Sequence, residues 1–357
     1  MLHNDITDVP GVAVGHCTLI SGDGAHQRGV GPVRTGVSVI LPRADQVWQS
    51  TVFAGYHRLN GNGDMSGLQW IAESGQLGGP IALTNTYSLG TVRDALIGIA
   101  LTEVSESMGP WSLPVVGETW DGVLNDIEGQ HVTAQHVREA IDNATSGPIR
   151  QGCVGGGTGM TAFGFKAGIG SASELIQING QTYTVGSLVQ ANFGDRDQLR
   201  IDGVPVGRLI DPSSVPPPSP AVSGGSIIAI LATDAPLLPH SCRRLAQRAA
   251  LGIGVAGGTA NNSSGDFALC FSTANHEVPP ALAGSGRVGS KAEFISDGDL
   301  TPLLKAAVST TAKAIYNSLR HATTLAGRDG VVAHALTDAL LAGARARWVN
   351  ELSSDLT

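Results

Sequence analysis

With 357 residues, 42% of them hydrophobic, 15% charged and 48 of them glycine, the chain has the means to bury a large core and to turn tightly around it. Its net charge of -8, without any basic run, argues against nucleic acid and anionic membrane surfaces as partners. No stretch approaches the roughly twenty continuous apolar residues of a membrane-spanning helix, and the opening MLHNDITDVPGVAVGH has acids where an export signal needs a basic region, so a cytoplasmic location is expected.

In chain order, residues Gly11 to Leu19 and Gly36 to Leu41 read as two early strands around a turn-rich loop. The tract NGNGDMSG reads as a loop entering a short helix over Leu68 to Glu73, and PIALTNT from Pro80 to Thr86 as a buried strand. Val92, Ala95, Leu96, Ile99 and Leu101 recur near helical spacing, which predicts an amphipathic helix over Thr91 to Ser107. LPVVGETWDGVLND reads as a strand running into Glu118, Asp121 and Asp126, and Thr133 caps a helix to about Ala144. Gly152 to Ser173 has too much glycine for a helix; it reads as a glycine loop and then a strand in which Phe163 and Phe165 alternate, partnered by Tyr183 to Asn192. DPSSVPPPSPAVSGG, residues 211–225, is a flexible linker that meets the buried strand SIIAILAT without transition. A helix then starts near Pro239 and runs to Leu251, DFALCFSTA is a strand, and two alanine-rich helices over Thr301 to Leu325 and Gly330 to Val349 close the chain. Strands with period two, long late helices and no regular βαβ alternation favour an α+β layered sandwich, with helices outside two stacked sheets, in one domain over 1–357.

Cys17, Cys153, Cys242 and Cys270 are scattered and read as free thiols in a reducing compartment; no metal and no cofactor is expected. His16, His57, His240 and His276 are isolated, which favours satisfied or exposed histidines and leaves a triad open. The run Gly155-Gly156-Gly157-Thr158-Gly159-Met160 could form an anion nest, but it lacks the GK[ST] ending of a nucleotide loop. Close packing, or a substrate pocket lined by Gly156 and Gly157, is the stronger reading. Ser226 follows two glycines at the linker junction, and its hydroxyl could attack the preceding carbonyl and release a new N-terminal serine. The freed amine, with a reference pKa of about 8, could then serve as base for its own hydroxyl. Ser264 and Asp266 lie in a polar loop that a plain turn also explains, Asn192 ends an apolar strand, and Glu118 is either a solvated acid or a counter-charge.

Taken together, ITDVPGVAVGH, GNGDMSG, PIALTNTYSLGTVRDA, VVGETWDGVLND, GCVGGGTGM, GFKAGIGSAS, VGSLVQANFG, GGSIIAILATDAPLLPH and NNSSGDFALCFSTAN resemble, in order, the L-aminopeptidase/D-amidase-esterase family, which includes the β-peptidyl aminopeptidases. The resemblance implies a four-layer α/β/β/α sandwich similar to N-terminal-nucleophile hydrolases but differently connected. It implies self-cleavage between Gly225 and Ser226 into an α chain, 1–225, and a β chain, 226–357, and a homo-oligomer of cleaved αβ units. Ser226 matches the nucleophile, Asn192 the oxyanion donor, Ser264 and Asp266 its neighbours, and Glu118 the acid that meets a substrate amine. Trp120 stands where the D-amidase/esterase branch has tyrosine, and an indole donates only from nitrogen. The implied activity is release of N-terminal residues from small peptides, amides or esters through an acyl-enzyme on Ser226. Two alternatives accompany it: an acyltransferase of the ornithine-acetyltransferase type, disfavoured because that group uses threonine, and a nucleotide-binding protein built on GGGTGM.

Overall fold

The computed structural model describes residues 2–103, 113–218, 225–277, 279 and 290–354. The first half carries β1 (Ala13–Ser21), β2 (Val33–Leu41), β3 (Thr51–Gly61), α1 (Leu68–Ser74), β4 (Gln76–Gly78), β5 (Ile81–Asn85), α2 (Leu89–Glu103), β6 (Val115–Thr119) and α3 (Ala134–Asp142). The rest carries β7 (Thr161–Ala162), β8 (Phe165–Lys166), β9 (Ile169–Ile178), β10 (Gln181–Asn192), α4 (Val206–Leu209), β11 (Ser226–Thr233), α5 (Pro239–Ala256), β12 (Gly265–Ser272), α6 (Thr301–Arg320), β13 (Leu325–Ala326), β14 (Val332–Ala333) and α7 (Asp338–Ser354).

The strands build a four-stranded sheet, β1-β2-β5-β6, and a six-stranded sheet, β4-β3-β12-β11-β10-β9. β11 explains the layering. Every residue of SIIAILAT is buried, because the strand is central and both its faces are covered. Successive side chains point to opposite faces. Ile227, Ala229 and Leu231 therefore join Leu245 and Ala249 of α5 and Ala307 and Ile315 of α6 in one core. Ile228, Ile230 and Ala232 face Ile40, Ile81, Leu83 and Val115 of the other sheet in a second. A third core lies outside the four-stranded sheet, where Val39, Ala82 and Val116 meet Val92 and Leu96 of α2 and Val137 of α3. Helices, sheet, sheet and helices thus stack in the α/β/β/α order expected. Where helix backbone touches sheet backbone a side chain would not fit: a Cβ on Gly170 of β9 would lie 2.0 Å from the Ala314 carbonyl oxygen of α6.

Several boundaries move for local reasons. β3, eleven residues long, was not expected, because TVFAGYHRLNG mixes His57, Arg58 and glycines into its apolar alternation. α5 continues past Leu251 to Ala256 and stops at Gly257, whose φ of 107° supplies the left-handed cap. α6 ends at Arg320 rather than near Leu325, and α7 begins at Asp338 rather than Gly330, with the short hairpin of β13 and β14 between them. Phe163 does not sit in a strand. It occupies the turn between β7 and β8 with φ 51°, its ring edge-on to Phe193 at 4.9 Å. Residues 104–107, the end of the expected second helix, lie outside the described residues, as do 219–224 of the linker. The linker's beginning is anchored: Val215 is buried in the first core, and its carbonyl accepts from Arg196 Nη1 at 3.1 Å.

Candidate active site

Ser226, Asn192 and Gly265 come from distant parts of the chain and meet at one end of the six-stranded sheet. In the register of β10, β11 and β12, Ser226 lies opposite Asn192 on one side and Gly265 on the other. The Gly265 amide N–H is 3.2 Å from Ser226 Oγ and 3.2 Å from the Gly225 carbonyl oxygen. One backbone donor thus serves both the hydroxyl and the carbonyl of the preceding peptide. Gly225 is held equally tightly, since a Cβ there would stand 2.2 Å from the Asn192 carbonyl oxygen and 2.7 Å from Phe193 Cα. Only glycine permits this approach of backbone to backbone.

Ser264 precedes Gly265 and is buried with Asp266. Ser264 Oγ donates to Asp266 Oδ1 at 2.6 Å, so the aspartate reaches it without the extra methylene of a glutamate. The same carboxylate oxygen accepts from the Ile227 N–H at 3.2 Å, which ties the start of β11 to the Ser264 hydroxyl. Burial pushes the Asp266 carboxyl above its ordinary range, against the hydrogen bonds of Ser264 and Ile227. Among the described residues no histidine hydrogen-bonds to Ser226 or Ser264, so the arrangement is not a histidine triad.

Asn192 is fixed from two sides. Its Oδ1 accepts from the Thr161 N–H at 3.0 Å, and its Nδ2 donates to the Trp120 carbonyl at 2.9 Å. These partners settle which end of the amide is which and leave one Nδ2 hydrogen uncommitted. Trp120 contributes this carbonyl, while its indole packs over Gly122 and is partly open to solvent.

Glu118 is the penultimate residue of β6 in the other sheet and is buried. Its Oε1 accepts from the Asp64 N–H at 2.8 Å and its Oε2 from the Thr86 hydroxyl. Gly63 joins it to the serine edge: a Cβ on Gly63 would lie 3.0 Å from Glu118 Oε1 and 3.1 Å from Gly265 Cα. Burial raises the Glu118 carboxyl above its ordinary value, and the bonds from Thr86 and Asp64 only partly offset this. A buried carboxylate with fixed acceptors, next to a buried hydroxyl, can hold an ammonium close to a carbonyl under attack.

Gly156 and Gly157 are not part of this group. Both are buried, and their amides are committed inward, to Ser38 Oγ at 3.1 Å and to the Val154 carbonyl at 2.9 Å. Gly155 donates to Thr18 Oγ1 at 2.8 Å, and Thr158 and Met160 donate to carbonyls of the same loop. The glycines are there for contact: a Cβ on Gly156 would meet Gln190 Oε1 at 2.2 Å, and one on Gly157 the Ile169 nitrogen at 2.4 Å. Amides turned inward form no anion nest, which removes the physical basis of the nucleotide reading.

Elsewhere, His26, Asp126 and Glu128 bring possible ligand atoms within 4.8 Å of one another. Those atoms are already engaged. Asp126 takes His26 Nε2 at 2.8 Å and His131 Nε2 at 2.9 Å, and Arg328 Nη2 stands 2.8 Å from His26 Nδ1. This is an ion network that ties the C-terminal segment to the first half of the chain.

The sequence profile of Peptidase family S58 matches residues 4–333. A β-peptidyl aminopeptidase, BapA of Sphingosinicella microcystinivorans, is 46% identical over 350 residues, covering 95% of this chain and 87% of that protein. Among solved structures, a Burkholderia sp. β-aminopeptidase superposes with a TM-score of 0.87 at 45% identity over 97% of this chain and 94% of that one. The L-aminopeptidase D-Ala-esterase/amidase of Ochrobactrum anthropi, described as a new variant of the Ntn hydrolase fold, gives 0.86 at 39% identity over the same shares. A four-layer sandwich whose serine begins a central strand between an asparagine and a glycine amide, matched along nearly its whole length, belongs to peptidase family S58.

Proposed function

We propose that the chain cuts itself between Gly225 and Ser226 and then acts as a serine aminopeptidase, amidase and esterase on small substrates with a free N-terminal amine. Membership of a peptidase family makes it a hydrolase, and the single observation that carries the finer reading is the Gly265 N–H shared by Ser226 Oγ and the Gly225 carbonyl oxygen at 3.2 Å each. In self-cleavage Ser226 Oγ adds to the Gly225 carbonyl carbon, and the Gly265 N–H faces the oxygen on which negative charge develops. The C–N bond breaks, the nitrogen leaves as the Ser226 amine with the hydroxyl proton, and water hydrolyses the ester that remains. The products are a Gly225 carboxylate and an N-terminal Ser226.

In turnover that amine takes the proton of its own Oγ, which attacks the scissile carbonyl of a bound substrate. The uncommitted Nδ2 hydrogen of Asn192 supports the oxyanion, Asp266 and Ser264 keep the start of β11 in place, and the leaving amine departs with the proton. Water then releases the acyl group from Ser226. Glu118 faces the substrate ammonium, with Trp120 at the border of the pocket. The similarity to β-peptidyl aminopeptidases supports acceptance of N-terminal β-residues. A serine at 226, where the acyltransferase type uses threonine, and membership of a peptidase family favour this over acyl transfer. Exposed Leu251 and Val255, one turn apart on α5, support assembly of αβ units into a homo-oligomer. Four free cysteines support a cytoplasmic setting, and among the described residues no helix is long and apolar enough to cross a membrane.

Intact mass of the purified protein, followed by a panel of aminoacyl p-nitroanilides with free and acetylated amines, tests the reading. Two chains, 1–225 and 226–357, and hydrolysis only of free-amine substrates are expected. A single full-length chain without serine-dependent hydrolysis overturns it.

The pH dependence follows from Glu118. Its carboxyl titrates above the ordinary value, so as pH falls through that raised pKa the counter-charge is lost and kcat/KM falls. Glu118→Gln is expected to raise KM and lower kcat/KM by about 30- to 150-fold, worth about 2–3 kcal/mol, and to leave only the acid fall set by protonation of the Ser226 amine, which both proteins share. A KM unchanged in the variant would show that Glu118 does not meet the amine.

A further inference from the structure

Between Gly152 and Ser173 the chain carries one charged residue, Lys166, and it is completely buried. Its Nζ donates to the carbonyl oxygens of Ala167 at 2.6 Å, Met160 at 2.7 Å and Gly157 at 3.4 Å. Among the described residues no carboxylate forms an ion pair with it. Three carbonyl acceptors surround the nitrogen, with the Cys153 sulfur also within reach, which suits an ammonium better than an amine, whose lone pair would face a carbonyl. Burial opposes that charge, while Cys153 and, more weakly, Asp121, itself buried, favour it. A buried charge without an ion partner is costly to keep, and a well-packed apolar side chain of the same length would avoid the cost.

The Met160 carbonyl that Lys166 holds belongs to the same peptide group as the Thr161 N–H. That N–H donates to Asn192 Oδ1 at 3.0 Å. The ammonium therefore pulls on one end of a peptide dipole whose other end grips the asparagine, and hydrogen bonds in series strengthen one another in a medium of low dielectric. The glycine loop takes part only as the frame that turns its carbonyls toward Lys166, which accounts for its inward amides.

We propose that Lys166 is a positioning residue for hydrolysis: through the Met160–Thr161 peptide it locks Asn192 with Nδ2 directed at the oxyanion of the substrate. The inference rests on the reading of Asn192 as the oxyanion donor.

The test uses the self-cleaved protein and Lys166→Met, which keeps the length of the side chain and removes its charge. Lys166→Met is expected to lower kcat by about 10- to 100-fold, less than deletion of the donor itself, with KM unchanged. In an Asn192→Ala background the same substitution should have no further effect on kcat. A full additional loss in that background, or a wild-type kcat in Lys166→Met, overturns the proposal while leaving Asn192 intact. An unchanged kcat in Asn192→Ala alone would instead remove the oxyanion reading beneath it. Should Lys166→Met not fold, Thr161→Pro deletes the N–H and leaves the ammonium; the same loss of kcat, again absent in the Asn192→Ala background, is expected, and a wild-type kcat overturns the proposal.

Discussion

Ser226→Ala is expected to yield a folded protein that remains one chain of 357 residues and hydrolyses none of the free-amine substrates. One oxygen is removed, and with it the attacking group of self-cleavage, the acyl carrier of turnover and, because the bond stays intact, the amine that would act as base. Loss of a nucleophile in a serine hydrolase lowers kcat on the order of 10⁶-fold, and here the base is lost with it. Folding should be spared. Ser226 is buried, but among the described residues its Oγ has one hydrogen bond, from the Gly265 N–H, which keeps the Gly225 carbonyl as a partner. The cost of that bond is about 1 kcal/mol. Intact mass, a denaturation curve and p-nitroanilide release decide the matter together. Two chains from Ser226→Ala would mean that another group, or a protease, makes the cut.

What could be read in advance depended on whether the signal lay in side chains or in backbone. SIIAILAT was legible as a buried strand because both faces are covered, and Thr133 as a cap because its N–H donates to His136 Nδ1 at 3.1 Å and closes the first turn of α3. β3 was missed since only Val52, Ala54 and Gly55 of its eleven residues are buried, and Arg58 and Leu59 face solvent. Phe163 and Phe165 looked like strand alternation, yet the Gly164 between them lets the chain reverse there. At the candidate site, Asn192, Ser264, Asp266 and Glu118 stood out only through the resemblance, because each had an ordinary explanation as a turn or strand end, whereas Ser226 was also marked by its place after two glycines at the linker junction. The Gly265 N–H had no signal, as backbone amides are common to every residue. Lys166 did leave a trace: a single charge in a glycine-rich apolar stretch, which general expectation assigns to the surface. Gly156 and Gly157 misled for the complementary reason. Glycine permits a nest and permits close packing, and only the committed amides decide between them.

Asn192→Ala separates the two reactions proposed for Ser226. In self-cleavage the oxygen that gains charge is that of Gly225, and it is served by the Gly265 N–H. In turnover the substrate carbonyl takes a different position, and the uncommitted Nδ2 hydrogen of Asn192 is the side-chain donor held ready for it by Thr161 and Trp120. The alanine variant is therefore expected to appear as two chains, with kcat lowered about 10²- to 10³-fold, a barrier change of about 3–4 kcal/mol. KM should stay near that of the wild type, since a planar ground-state carbonyl gains little from a donor placed for the tetrahedral oxygen. Asn192→Asp sharpens the comparison. Its carboxylate can still accept from Thr161, but it faces the Trp120 carbonyl without a proton to give and sets negative charge beside the oxyanion, so its kcat should fall below that of alanine at neutral pH and recover toward it as pH drops. An alanine variant that remains a single chain would assign Asn192 to both reactions, and one with an unchanged kcat would move the oxyanion to a backbone donor.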